Sequence, residues 1–438
     1  MLPKSHPKRR ELNDEVHARP SEAMTAPRQL SYVALLSSGQ SPTKDLEPVR
    51  KIARSFGAPA PKAGANHYSE DLGPFHLRWE RHTEFSRYTF SLAGKTRRST
   101  KAAADPFAAP AISVVPADWL KTLPGQVIVA AHVTIAKAPK GRLDLERISR
   151  TVFDGNPLVG GAIASGSGVA LTDFHIHEDG FSRLLVYDRA MTPRQTGRMV
   201  QRVLELETYR VMALLALPVA RALTPFLDTC KQELAKVTAA MAKGDGSDET
   251  ELLERLVRLE AAIEKQHADN HYRFGAAAAY YDLVHRRIAE LREERVKGVQ
   301  TFREFTERRL APAMNTCRSV ATLQESLSER VARATQLLST RIDIARQQQN
   351  QAVLESMNRR AKLQLRLQQT VEALSVAAVT YYVVGLLGYA AKGLNVLGLA
   401  LNPDLVMAAS IPFVLIAVAL VVRSVRRVVT PGNRWWRG

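Results

Sequence analysis

The stretch DFHIHED, residues 173–179, sets two histidines among three carboxylates. If it is a strand, alternation places Asp173, His175, His177 and Asp179 on one face and Phe174 and Ile176 on the other. Two imidazoles and two carboxylates suit a divalent cation. These four are therefore the candidate metal ligands, and a divalent metal ion is the one cofactor the sequence suggests. The same pattern also describes a solvated outer face over an apolar inner one.

Other stretches offer weaker chemistry. AGKT (93–96) ends like a phosphate-binding loop, yet Thr89 stands where that loop needs its first glycine. GGAIASGSG (160–168) fits neither GxGxxG nor GxSxG and reads as a flexible turn. His267 and His271, four apart on a helical stretch, share a face but lack the glutamate of HExxH, and read as surface histidines. HPKRRELNDEVHARP (6–20) and WERHTEFSRYTF (79–90) crowd His, Arg and carboxylates around a few apolar residues. An acid/base pair would look like this, and so would a helix end and a strand tied by ion pairs, which is the preferred reading. No catalytic residue is assigned, and no enzyme is expected.

The elements that must carry these residues fall into regions. Residues 1–190 mix strand-like runs, among them LSYVALL (30–36), FHLRWERH (75–82), RYTFSL (87–92), QVIVAAHVTIA (126–136), GVALTDFHIHE and FSRLLVYD, with helical DLEPVRKIARSFG (45–57). The expectation is an α/β or α+β domain. From Thr192-Pro193 the pattern turns helical, with Pro218 and Pro225 interrupting the first long helix. GDGSD (244–248) leads into a second helix and Ala311-Pro312 precedes a third. That third helix carries Val320, Leu323, Leu327, Ala334, Leu337, Arg341 and Ile344 at coiled-coil spacing. Residues 191–372 are thus expected to be a long helical stalk.

Two apolar runs follow, 373–391 and 405–422, each about as long as a helix needs to cross a bilayer's ~30 Å hydrocarbon core. With a short loop between them they read as a transmembrane hairpin over 373–422, ending in a basic tail, 423–438. Arg359, Arg360, Lys362 and Arg366 precede the first run; Arg423, Arg426, Arg427, Arg434 and Arg437 follow the second; the loop holds only Lys392 and Asp404. By the positive-inside bias both termini lie in the cytoplasm, and Trp435 and Trp436 suit the interfacial belt.

Composition agrees. The 438 residues carry a formal charge of +18, and mean hydropathy is −0.17, so most of the chain lies outside lipid. No zinc-finger spacing or RNA-binding aromatic signature accompanies the charge, which excludes nucleic acid and leaves anionic headgroups of the bilayer as the partner. The first residues, MLPKSHPKRRELNDE, lack the apolar region of a cleavable signal. Cys230 and Cys317 suit reduced thiols.

LNDEVHARP (12–20), RHTEF (81–85), TPRQTGRMVQRVLELETYRVMALLALP (192–218) and LQQTVEALSVAAVTYYVVGLLGYAAKG (367–393) together resemble DUF3422, a bacterial membrane-anchored family of unknown function. The resemblance implies the same C-terminal anchor in the inner membrane and brings no activity. In architecture the chain is also similar to CorA-type magnesium channels, where a Gly-Met-Asn triplet closes the first span. Here Gly393, Leu394 and Asn395 hold the comparable place, with leucine for methionine and Lys392 where an aromatic residue is usual. A ring of such lysines would repel divalent cations. If that likeness holds, Ser375, Tyr382, Tyr389, Lys392, Gly393, Leu394 and Asn395 are pore or interface candidates in a homo-oligomer. Two functions follow as expectations: an oligomeric CorA-like membrane protein that passes cations, or a membrane-anchored scaffold whose head binds a protein or ligand at the inner face.

Overall fold

The computed structural model describes residues 4–10, 12–13, 21–37, 42–93, 105–243, 248–396 and 402–429. Gly94, Lys95 and Thr96 of AGKT and most of 6–20 lie outside them, as do Arg434, Trp435, Trp436 and Arg437.

The fold is α+β. Its strands are β1 (Arg28–Leu36), β2 (His67–Asp71), β3 (His76–Arg81), β4 (Phe85–Ala93), β5 (Gln126–Lys137), β6 (Val159–Ile163), β7 (Gly168–Thr172) and β8 (Ser182–Asp188). They form one sheet in the order β2-β3-β4-β1-β5-β8-β7-β6. Every neighbouring pair is antiparallel except β5 and β8, which run parallel. A parallel pair cannot be closed by a tight turn, and the connection here contains a short helix and the β6–β7 pair.

Helix α1 (Pro42–Ser55) lays Leu46, Val49, Ile52 and Ala53 against the sheet, where they share a core with Trp79, Tyr88 and Phe90. Trp119, from α2 (Ala117–Leu120), meets Tyr88 and Phe90 edge-on at 6.1 Å each and donates its indole N–H to Pro48 O at 2.8 Å. A second core gathers Val169, Leu171 and Leu185 beneath Ile148 and Val152 of α3 (Leu145–Val152). Asp144 caps α3 by accepting from Arg147 N at 3.0 Å.

Helix α4 (Pro193–Leu214) starts at the expected place, with Thr192 and Gln195 forming a capping box around Pro193. It stops one residue before α5 (Ala216–Lys243). Pro218 explains the break, because its ring would meet the carbonyl of Leu214 and it has no N–H to donate. Asp248 caps α6 (Glu249–Leu291), accepting from Thr250 N at 2.9 Å. Then α7 (Phe302–Arg309), α8 (Ala311–Val396) and α9 (Pro403–Val429) follow.

Three expectations are corrected here. GGAIASGSG is largely strand: β6 takes residues 160–163, Gly168 opens β7, and only 164–167 form a turn. The glycines let another backbone close in, since a Cβ on Gly161 would stand 2.7 Å from Glu294 O. That backbone is the second correction. After α6 the chain leaves the helical pattern and bridges to β6, with Ala162 N donating to Glu294 O at 3.0 Å and Gly160 N to Gln300 O at 2.8 Å. The third concerns α8, where Leu337 and Ile344 are exposed. The buried stripe is Val320, Gln324, Leu327, Val331 and Ala334, a heptad rhythm that a polar Gln324 hides from a hydrophobicity reading.

The chain divides into two compact units, Met1–Thr335 and Gln336–Gly438, the boundary falling inside α8. Three helical stretches are long and apolar enough to cross a membrane: Pro193–Lys243, Ala311–Leu394 and Pro403–Val425. The first belongs to the folded unit. Its inner face carries buried Glu205, Glu207 and Thr208 alongside Met199, Val203 and Leu206.

Candidate functional site

The expected strand over 173–179 does not form. β7 ends at Thr172 because side chains there take over the backbone's hydrogen bonds. Thr172 Oγ1 accepts from Phe174 N and Asp173 Oδ1 from His175 N, both at 3.2 Å. Phe174 adopts φ 56°, its ring 4.6 Å from that of Phe305 and beneath the Arg210 guanidinium at 4.9 Å. Of the four predicted ligands, His177 and His175 stay within 3.1 and 3.9 Å of Asp173 Oδ2, whereas Asp179 turns away. Asp173 and His177 are buried, whereas His175 points outward with Ile176, which is 78% exposed.

His177 sits between two carboxylates. Its Nδ1 donates to Asp154 Oδ2 at 2.7 Å, and Nε2 lies 3.1 Å from Asp173 Oδ2 without the alignment of a hydrogen bond. Asp173 Oδ2 also accepts from Asn156 Nδ2 at 2.9 Å. Among the described residues, no group of three or more His, Cys, Asp or Glu is arranged to hold a metal ion.

Asp179 turns to a histidine the sequence did not single out. His132, on β5, stacks on Phe181 at 3.9 Å, with its Nε2 3.6 Å from Asp179 Oδ2. Its Nδ1 lies 2.9 Å from Ser31 Oγ, which accepts from Ile112 N at 3.0 Å. The Ser31–His132 bond takes its direction from the imidazole tautomer, since the hydroxyl keeps a second lone pair. Burial pushes the imidazole down to about 4, with Arg183 adding to the shift and Asp179 opposing it. The set has the members of a Ser-His-Asp triad, yet Ser31 is wholly buried in the sheet. No substrate atom can reach its oxygen, so the array ties β1, β5 and the 178–181 turn together.

WERHTEFSRYTF shows the ion-pair arrangement preferred for it. Arg87 on β4 is paired with Glu80 on one side and with Glu205 of α4 at 3.1 Å on the other. Arg287 of α6 reaches the second oxygen of Glu205 at 2.5 Å. Burial alone would raise Glu80, but Arg87 and Arg78 outweigh it and hold the carboxyl at about 2. Nearby, Arg273 clasps Glu84 through both guanidinium nitrogens at 2.7 and 3.2 Å. These contacts fasten the sheet to α4 and α6.

The remaining candidates lie in the second unit. On α8, Ser375, Tyr382 and Tyr389 are exposed at seven-residue intervals, which places them along one face. Lys392 is exposed too, its ammonium 5.9 Å from the Tyr389 ring centroid, and Gly393 and Leu394 follow it on the surface. The side chain of Asn395 lies outside the description. The opposite face of α8 buries Thr380 and Ala391, and at Gly388 it meets Met407 of α9.

A family model matches residues 4–429, nearly the whole chain, and describes a protein of unknown function. The chain belongs to the DUF3422 family. No curated protein and no solved structure matches it. The match to DUF3422 spans the sheet, α4 and the apolar part of α8 alike, and assigns them no reaction.

Proposed function

We propose that this DUF3422 protein is an integral protein of the bacterial cytoplasmic membrane, anchored by a helical hairpin over 373–391 and 405–422, whose sheet unit is a scaffold that engages a partner at the inner face. One observation carries the anchor. On α8 and α9 large apolar side chains are exposed on several faces, Tyr381 by 78%, Phe413 by 76% and Leu374 by 73%. Water does not sustain such a surface, whereas lipid does. The seam between the helices uses Gly388, Thr380 and Ala391, small residues of the kind that let membrane helices approach. Basic residues before and after the pair orient both ends toward the cytoplasm and toward anionic headgroups.

The scaffold reading is supported by buried polar contacts that tie elements of the sheet unit together: His132 to Ser31, His177 to Asp154, and Arg87 to Glu80 and Glu205.

A second reading, a CorA-like cation pore, is favoured by the exposed face bearing Ser375, Tyr382 and Tyr389, which ends near Lys392. In a homo-oligomer that face is available to line a pore or to seal neighbours together. The mass of the detergent-purified protein separates the two readings. A ring of several copies supports the pore and a monomer or dimer supports the scaffold. Cation flux into proteoliposomes gives the direct test of passage. Lys392→Glu raises it in a pore, whereas a scaffold gives none with either protein.

A further inference from the structure

Residues 343–371, in the second unit, form the middle of α8 and are exposed on every side. A helix alone in water is marginal unless an apolar face packs on something. This one has such a face. On the seven-residue repeat abcdefg that sets Ser375 and Tyr382 at a, the preceding a and d positions are Leu354, Met357, Ala361, Gln364, Gln368 and Val371, none of them charged. Val353 and Leu367 flank the row at g and Leu365 at e, and these apolar side chains are exposed too. The charges turn away, with Glu355 and Lys362 at b and Arg359 and Arg366 at f. Arg360 and Glu372 stand on the flanks, and Leu363 is the one large apolar residue outside the face. The row runs on through Ser375 and Ala378, both exposed, whereas buried Thr380 stands at f. It is therefore continuous with the free face of the apolar part of α8.

We propose that this face, over 354–378, pairs with the same face of a second copy of this chain in a parallel, in-register coiled coil. The parallel sense rests on the proposed anchor, which sends both copies into one bilayer in the same direction. The amides select the partner. Gln364 and Gln368 interrupt the apolar row, and a lipid surface would leave them unpaired. Each side chain carries donors and an acceptor, so an identical amide opposite it is a complete partner. Polar layers of this kind fix register at a cost in stability. Charge agrees, because the pairing keeps Arg359, Lys362 and Arg366 of the two copies on the outside and apart.

The test uses the full-length protein in isolated membranes, with Cys230 and Cys317 replaced by serine and two differently tagged copies expressed together. Single cysteines are placed at Met357 or Val371, both at d, or at Arg359, at f. All three positions are exposed within the chain, so the substitutions leave its fold intact. Mild oxidation with copper phenanthroline should convert Met357→Cys and Val371→Cys to a covalent dimer carrying both tags. Arg359→Cys should stay monomeric, because a disulfide needs Cα atoms within ~7 Å. The two d positions lie two heptads apart, ~21 Å along the helix, and an antiparallel pair could join at most one of them to itself. A dimer at only one d position or at neither overturns the assignment. So does a band at Arg359→Cys as strong as at Met357→Cys, or one that joins this chain to a different protein. An alkaline carbonate wash of the same membranes reads the anchor separately: release of the protein contradicts the anchor, while the cross-linking pattern alone decides the coil.

Discussion

A Cβ placed on Gly388 of α8 would overlap the thioether of Met407 on α9, whereas one placed on Gly385, a turn earlier, would meet nothing within 4 Å. Two glycines one turn apart on neighbouring positions of α8 thus differ, Gly388 in contact with α9 and Gly385 with room for a side chain. Gly388→Leu should push the helices apart and lower stability in detergent by ~1–3 kcal/mol, the usual cost of overpacking. Gly385→Leu should leave it within ~0.5 kcal/mol. Equal effects in thermal unfolding would remove the seam.

Arg87 holds the sheet to α4 by pairing with Glu80 and Glu205. Arg87→Met keeps most of the side chain's length and leaves two buried carboxylates without their shared cation. Destabilisation by ~3–5 kcal/mol is expected from such a break, read as a shift in the urea midpoint. A loss below ~1 kcal/mol would show that the network contributes little.

Acid should weaken the fold through His132. Its imidazole is held at about 4 by burial against an ordinary value of 6.5. Below pH 6.5 the unfolded chain binds a proton here that the folded chain does not, so stability falls as pH drops toward 4 and the effect then levels off. The full span corresponds to ~3 kcal/mol. His132→Gln should flatten the slope between pH 6.5 and 4.5, before most carboxylates titrate. An unchanged slope would mean that His132 protonates in place.

His177→Ala should remove the donor to Asp154 and leave buried Asp173 with Asn156 and His175 beside it. A loss of ~2–4 kcal/mol is expected. Chelators should leave the parent's melting temperature unchanged if no metal holds Asp173 and His177 together. A chelator-induced drop that the variant lacks would return a metal to this turn.

Much of the scaffold was legible because its signals are local. Strand alternation marked β1, β3, β4, β5 and β8, and Thr192-Pro193 marked the start of α4. Composition alone marked α9 and the apolar part of α8. What escaped depended on contacts distant in sequence. β6 is glycine-rich because residues 294–300 close on it, and nothing near Gly160 announces that. The 173–179 turn keeps a strand's alternation, yet Asp173 and Thr172 bond its backbone instead of a neighbouring strand. Ser31 and His132 meet across a β1–β5 pairing separated by about a hundred residues, and Gln324 interrupts an apolar stripe that continues through it.

The central claim is that 373–391 and 405–422 cross the bilayer as a hairpin with both flanks in the cytoplasm. In a background with Cys230 and Cys317 replaced by serine, single cysteines at Gly393 and at Arg423 should be treated in intact cells with a membrane-impermeant maleimide. Gly393→Cys should label from outside, and Arg423→Cys should label only after the cells are opened. Labelling of Arg423→Cys in intact cells with protection of Gly393→Cys would invert the orientation, and labelling of neither before opening but both after it would contradict the hairpin itself.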